Sequence, residues 1–101
     1  MSERPRLGDV LDELFAVIDE RRTADPETSY TALLLTGNED SLLKKIAEEA
    51  GEVIMAAKDA DRDHLRYEAG DLLYHLMVVL ARYDLTPGDL AEELASRFKR
   101  Q

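Results

Sequence analysis

Apolar residues recur at helical spacing through most of the chain, and no stretch shows the two-residue alternation of a half-buried strand. Leu7, Val10, Leu11, Leu14, Phe15 and Ile18 share one face and predict a first helix over about residues 8–22. Its acids Asp9, Asp12 and Glu13 come early and Arg21 and Arg22 come last, as the helix dipole favours. Pro26 prevents a smooth helix through 23–30, which reads as a connector. Thr28 or Ser29 can cap a short helix over 30–36, ended by Gly37. Asn38 or Asp40 then caps a helix over about 40–59. One face of it is Leu42, Leu43, Ile46, Ala50, Val53, Ile54 and Ala57, and the other is Lys45, Glu48, Glu49 and Glu52.

A short polar turn at 59–63 leads into a helix over about 63–83 with a different pattern. Leu65, Leu72, Leu73, Leu76, Met77, Val78, Val79, Leu80 and Tyr83 surround almost its whole girth, which predicts burial. Glu68, Asp71 and His75 form one narrow polar stripe along it. Thr86, Pro87 and Asp89 make a helix start, with Thr86 as cap and Pro87 in the first position. The helix over 89–99 is expected to bury Leu90, Leu94 and Phe98. The predicted class is all-α, four main helices in a bundle, with residues 1–101 as a single domain.

The polar stripes carry the candidate chemistry. Residues three and four apart share a helix face, so Glu48, Glu49 and Glu52 form one carboxylate patch and Glu68 and Asp71 a second. If the two helices pack side by side and antiparallel, these carboxylates converge, an arrangement that repulsion makes costly unless a hard cation neutralises it. Mg²⁺ takes oxygen ligands and commonly shares a phosphate-bearing substrate with carboxylates. The plainer alternative is a solvated charged face, or a stripe paired with Arg66 or Arg82. Lys44 and Lys45, one turn before the acids, can hold phosphate oxygens, or form salt bridges from Lys44 to Glu48 and Lys45 to Glu49. His75 can support the site by orienting a carboxylate or a phosphate, or can simply be a partly buried histidine. His64, in the turn region, is expected to be solvated, and Met55 and Met77 to be core.

Composition narrows the classes. A hydrophobic fraction of 45% argues against disorder, although 35% of residues are charged. With no cysteine there is no disulfide or thiolate metal site. The net charge of −9 argues against a nucleic-acid or anionic-membrane binder, but not against a phosphorylated small molecule, because a bound metal reverses the local sign. No apolar run is long enough to span a bilayer, and the first residues lack the apolar core of a secretory signal. The cytoplasm is the simplest compartment. There is no phosphate-binding GxxxxGK[ST] loop, and no serine has the context of a catalytic triad.

Glu48-Glu49-x-x-Glu52 followed on the next helix by Glu68-x-x-Asp71 resembles the all-α nucleotide pyrophosphatase superfamily. The longer stretches Ser29–Ala32, Lys44–Val53 and Glu68–Leu76, the last with Leu72-Leu73-Tyr74-His75, are similar to the phosphoribosyl-ATP pyrophosphatase family of histidine biosynthesis. The resemblance spans about residues 7–95. It implies hydrolysis of phosphoribosyl-ATP to phosphoribosyl-AMP and pyrophosphate with Mg²⁺. It assigns Glu48, Glu49, Glu52, Glu68 and Asp71 to the metal, with Glu48 or Glu49 also a candidate for holding and deprotonating the attacking water. Lys44 or Lys45 would hold phosphate, and Tyr30 would line the nucleotide pocket. The cyclohydrolase often fused to this family is expected to be absent. Two rival functions are a housekeeping pyrophosphatase of free nucleoside triphosphates and a non-enzymatic helical dimerisation module. The apolar girth of the 63–83 helix exceeds what the other helices can cover, so a second copy is expected, as a homodimer or higher even assembly.

Overall fold

The computed structural model describes residues 4–100. Its helices are α1 (Leu7–Glu20), α2 (Tyr30–Thr36), α3 (Glu39–Lys58), α4 (Arg62–Arg82) and α5 (Pro87–Ser96). Tight 3-10 turns over Arg21–Thr23 and Arg97–Arg100 follow α1 and α5, and no strand occurs among the described residues. The all-α class expected from the periodicity is thus the observed one. The first helix ends at Glu20 rather than 22 because its last turn tightens, a common helix end.

Local capping sets most boundaries. Ser29 Oγ accepts the Ala32 N–H at 3.1 Å and starts α2, and Asn38 Oδ1 accepts the Asp40 N–H at 2.8 Å and starts α3. Asp61 accepts the His64 N–H at 3.1 Å, so α4 begins a residue earlier than expected. Thr86 and Asp89 form a reciprocal capping box with Pro87 in the first turn of α5. Gly37 does not end α2 by a left-handed conformation: its φ is −84°. The position excludes a side chain, because a Cβ there would lie 2.6 Å from the Leu33 carbonyl oxygen. The left-handed residues are Ala60 (φ 56°) and Asp84 (φ 61°), after α3 and α4. At both, paired backbone bonds close the helix: Asp61 N–H to Ala56 O with Ala60 N–H to Ala57 O, and Leu85 N–H to Leu80 O with Asp84 N–H to Ala81 O.

The core is built on the C-terminal half of α4. Met77, Val78 and Ala81 are fully buried against Ile18 of α1, Leu34 and Leu35 of α2 and Leu42 of α3, with Leu90 of α5 packed alongside. Arg82 donates to the carbonyls of Leu34 (2.8 Å) and Gly37 (2.9 Å), satisfying the open end of α2, and Arg22 donates to the Ala81 carbonyl at 2.6 Å. Arg82 is therefore not the partner of the acidic stripe on its own helix.

Three expectations about burial are corrected. Leu94 and Phe98 are 50% and 74% exposed, because α5 touches the core only through its first turns. Met55 is exposed, whereas Met77 is buried as expected. On α3 the fully buried line is Leu42, Glu49 and Ala56, one residue per seven. The helix is turned so that the seam between its acidic and apolar stripes meets α4. Leu43 and Ile54, expected inside, face out.

Candidate functional site

The turn at 59–61 folds α3 back on α4, and cross-helix contacts run in opposite directions along the two helices: Glu52 meets His64, and Glu49 meets His75. This antiparallel register brings the two acidic stripes together. Glu49 is buried at the seam, with Glu52 and Glu68 partly buried beside it. Asp71 is half-buried on the same stripe of α4. Glu48 stays on the solvent side, with the exposed Lys44 ammonium 4.0 Å away. That contact is long and wet, worth at most about 1 kcal/mol. No ion pair links Lys45 to Glu49 among the described residues. Lys45 instead lines a cavity of about 290 Å³ with Tyr30, Leu33, Leu34, Asn38 and Ser41.

His75 is buried and held on three sides. Its Nδ1 lies 3.0 Å from the Asp71 carbonyl, and its Nε2 lies 3.0 Å from the Tyr30 hydroxyl. A carbonyl only accepts, so Nδ1 carries a proton, and Nε2 shares one hydrogen with the Tyr30 hydroxyl. Glu49 Oε1 sits 2.6 Å from Nδ1 but off the line of its N–H, and this buried oxygen has no hydrogen bond. The Tyr30 phenol is held above its ordinary value, first by burial and then by Tyr74, Glu49, Asp71 and Glu48. Its ring stacks on Tyr74 at 6.4 Å, and the Tyr74 hydroxyl lies 2.5 Å from Thr31 Oγ1. The short helix α2 is thereby pinned across the end of the acidic seam.

His64 corrects the sequence reading. It lies in the first turn of α4, half-buried, with Nε2 3.1 Å from Glu68 Oε2 and 3.7 Å from Glu52 Oε2. Glu52, His64 and Glu68 each bring one potential ligand atom within 4.8 Å of the others. The signal was present as spacing: His64, Glu68, Asp71 and His75 fall on one helical stripe.

The residues fit a divalent cation. A buried carboxylate oxygen without a hydrogen bond costs about 1–3 kcal/mol, and the groups along the seam are carboxylates and the His64 and His75 imidazoles, a donor set that a divalent cation fits. An all-α chain with such a carboxylate seam, rimmed by lysines, is of the class of helical pyrophosphohydrolases, enzymes that cleave a phosphoanhydride. Comparison with known proteins agrees. The sequence profile described as phosphoribosyl-ATP pyrophosphohydrolase matches residues 11–98. The phosphoribosyl-ATP pyrophosphatase of Nitrosomonas eutropha is 50% identical over 88 residues, covering 87% of this chain and 75% of that protein. That of Haloarcula marismortui is 49% identical over 92 residues, covering 89% and 94%. The histidine biosynthesis bifunctional protein HisIE of Thermus thermophilus is 50% identical over 93 residues, covering 92% of this chain and 44% of that protein. The chain belongs to the phosphoribosyl-ATP pyrophosphohydrolase family.

Proposed function

We propose that this chain hydrolyses phosphoribosyl-ATP to phosphoribosyl-AMP and pyrophosphate, a step of histidine biosynthesis, at the seam between α3 and α4. The observation that carries the reading is Glu49, buried at that seam, one oxygen lying 2.6 Å from His75 Nδ1 yet without a hydrogen bond, with Glu52 and Glu68 on the same seam. Glu49, Glu52, Glu68 and Asp71, with Glu48 at the rim, would hold Mg²⁺. When bound, that ion would neutralise phosphate charge and orient the anhydride. Glu48, half-exposed and meeting solvent, or the neighbouring Glu49 would hold the attacking water and take its proton. Hydrolysis breaks the α–β phosphoanhydride, adding water's oxygen to one phosphorus and releasing phosphoribosyl-AMP and pyrophosphate.

The remaining residues position these groups. His75 fixes the side of Glu49 it touches, and Tyr30, hydrogen-bonded to Nε2, keeps that ring from turning. Lys45, at the cavity lip beside Tyr30, would take phosphate oxygens as a point charge, while Lys44 remains an outer contribution. The cavity is at the small end of ligand pockets, roughly 300–1,000 Å³, which suits a site completed by a second copy of the chain. Residues 1–101 act as one domain. Among the described residues no helix is long and apolar enough to cross a membrane, and a small-molecule substrate in the cytoplasm fits the reading.

The test is a substrate panel with Mg²⁺: phosphoribosyl-ATP against ATP, dCTP, dUTP and other free nucleoside triphosphates, with pyrophosphate release followed. Strong preference for phosphoribosyl-ATP is expected. Equal or better turnover of free triphosphates would replace this reading with the housekeeping one, and no turnover of any would leave a non-enzymatic module.

A further inference from the structure

We propose that His64 is a metal ligand, forming with Glu52 and Glu68 a nitrogen-bearing site that favours imidazole-binding divalent ions such as Zn²⁺ and Co²⁺ over Mg²⁺. The site shares two carboxylates with the proposed reaction, but what it binds is read without substrate.

Three features carry the inference. The first is chelate spacing. His64 and Glu68 are four residues apart on one face of α4 and meet at 3.1 Å, and Glu52 enters from the facing helix. Two ligands from one helix at that spacing, with a third from elsewhere, is how histidine–carboxylate zinc sites are assembled. The second is distance. With metal–ligand bonds of about 2.0–2.1 Å, neighbouring tetrahedral donors lie about 3.3 Å apart. Nε2 is 3.1 and 3.7 Å from its two carboxylate oxygens, and all three donors lie within 4.8 Å, so an ion enters with small side-chain shifts. The third is that the ring serves poorly as a counter-cation. Nε2 carries at most one proton, which Glu68 takes at 3.1 Å, leaving Glu52 at 3.7 Å without a hydrogen bond. One turn before Glu52, the buried Glu49 oxygen also lacks a hydrogen bond, its close neighbour being His75 Nδ1 at 2.6 Å. The seam is short of positive charge even with His64 in place, and an ion between the three donors supplies it.

The nitrogen decides selectivity. Mg²⁺ prefers a full oxygen shell and keeps water, whereas Zn²⁺, Co²⁺ and Ni²⁺ take imidazole readily. His64 would therefore add little for Mg²⁺ and much for the later ions.

The experiment is calorimetric titration of the full chain with Zn²⁺, Co²⁺ and Mg²⁺ separately, in wild type and His64→Ala, with the Co²⁺ visible spectrum recorded in parallel. Zn²⁺ and Co²⁺ affinity should fall about tenfold or more in the variant, the Co²⁺ bands should shift, and Mg²⁺ affinity should stay within about threefold. Tighter binding of all three ions by the variant would show that the ring is only a competing counter-charge, and unchanged binding would show that it takes no part. Either result overturns the proposal. Should the variant fold poorly, nitrogen NMR of the wild type decides: the His64 Nε2 resonance must move with Zn²⁺ and stay with Mg²⁺, and no movement with Zn²⁺ overturns the assignment. Loss of phosphoribosyl-ATP hydrolysis in the wild type would refute the proposed reaction and leave these binding results standing.

Discussion

His75 shows how a single buried ring organises this site. Its helix supplies the Asp71 carbonyl that takes the Nδ1 proton, and this leaves Nε2 to the Tyr30 hydroxyl. The Tyr30 proton is correspondingly harder to remove: burial comes first, followed by the charges around it. A phenol whose folded value is raised contributes stability that is fully present below its ordinary 10.0 and lost as pH rises through the folded value. Tyr30→Phe should therefore remove one high-titrating phenol from the ultraviolet difference spectrum and flatten part of the stability loss above about pH 10. At neutral pH it should cost about 1 kcal/mol, since Nε2 loses its hydrogen-bond partner. A spectrum and denaturation midpoints that match wild type across this range would refute the contact.

At the scale of elements, the helix ends contain two mismatches between residue and conformation. Ala60 is left-handed, a conformation costing an L-residue about 1–2 kcal/mol, while glycine adopts it freely. Ala60→Gly should raise stability by about 0.5–1 kcal/mol after glycine's greater loss of freedom on folding is subtracted. Gly37 is not left-handed, yet has no room for a Cβ beside the Leu33 carbonyl, and its own carbonyl accepts from Arg82. Gly37→Ala should destabilise by about 1–3 kcal/mol by moving α2 off that guanidinium. Urea denaturation midpoints of the two variants should move in opposite directions, and movement in the same direction would contradict the backbone geometry.

The whole molecule is more open than a compact chain of its size. Its accessible surface is 7681 Å², against roughly 5,800 Å² for a compact chain of this mass. The radius of gyration is 15.1 Å, against about 13 Å for a compact domain of this length. Between residues 43 and 74 the fully buried residues are Glu49 and Ala56, while Leu43, Ile54, Met55 and Tyr67 are exposed. A second copy covering these surfaces is the reading we favour, with the active seam and its small cavity completed across it. Sedimentation at micromolar concentration should give a dimer or larger even assembly, and dilution should reduce activity as the assembly dissociates. Ile54→Asp should weaken assembly with little direct cost to the single chain, within about 0.5 kcal/mol. A wild-type chain that stays fully active as a monomer would contradict this.

Helix existence, most caps and the acidic spacing were legible in the sequence because they depend on neighbours a few residues away. Ser29, Asn38 and Thr86 bond within three positions of themselves, and Glu49, Glu52, Glu68 and Asp71 declare their stripes by period alone. The family was legible for the same reason, since its motifs are local. The rotation of α3 about its axis was not. Periodicity shows that a helix has two faces, but burial depends on what each face meets, and a stripe that looks like core can be left for another chain. Leu43 and Ile54 were misplaced for that reason, and Leu94 and Phe98 because α5 reaches the core only at Leu90. The Tyr30–His75 bond spans 45 positions and the Arg82–Leu34 bond 48, distances over which no pattern speaks. His64 was judged by its turn-like surroundings. Only the antiparallel closure of α3 on α4 set its ring between two carboxylates, because that contact exists only once the helices pack.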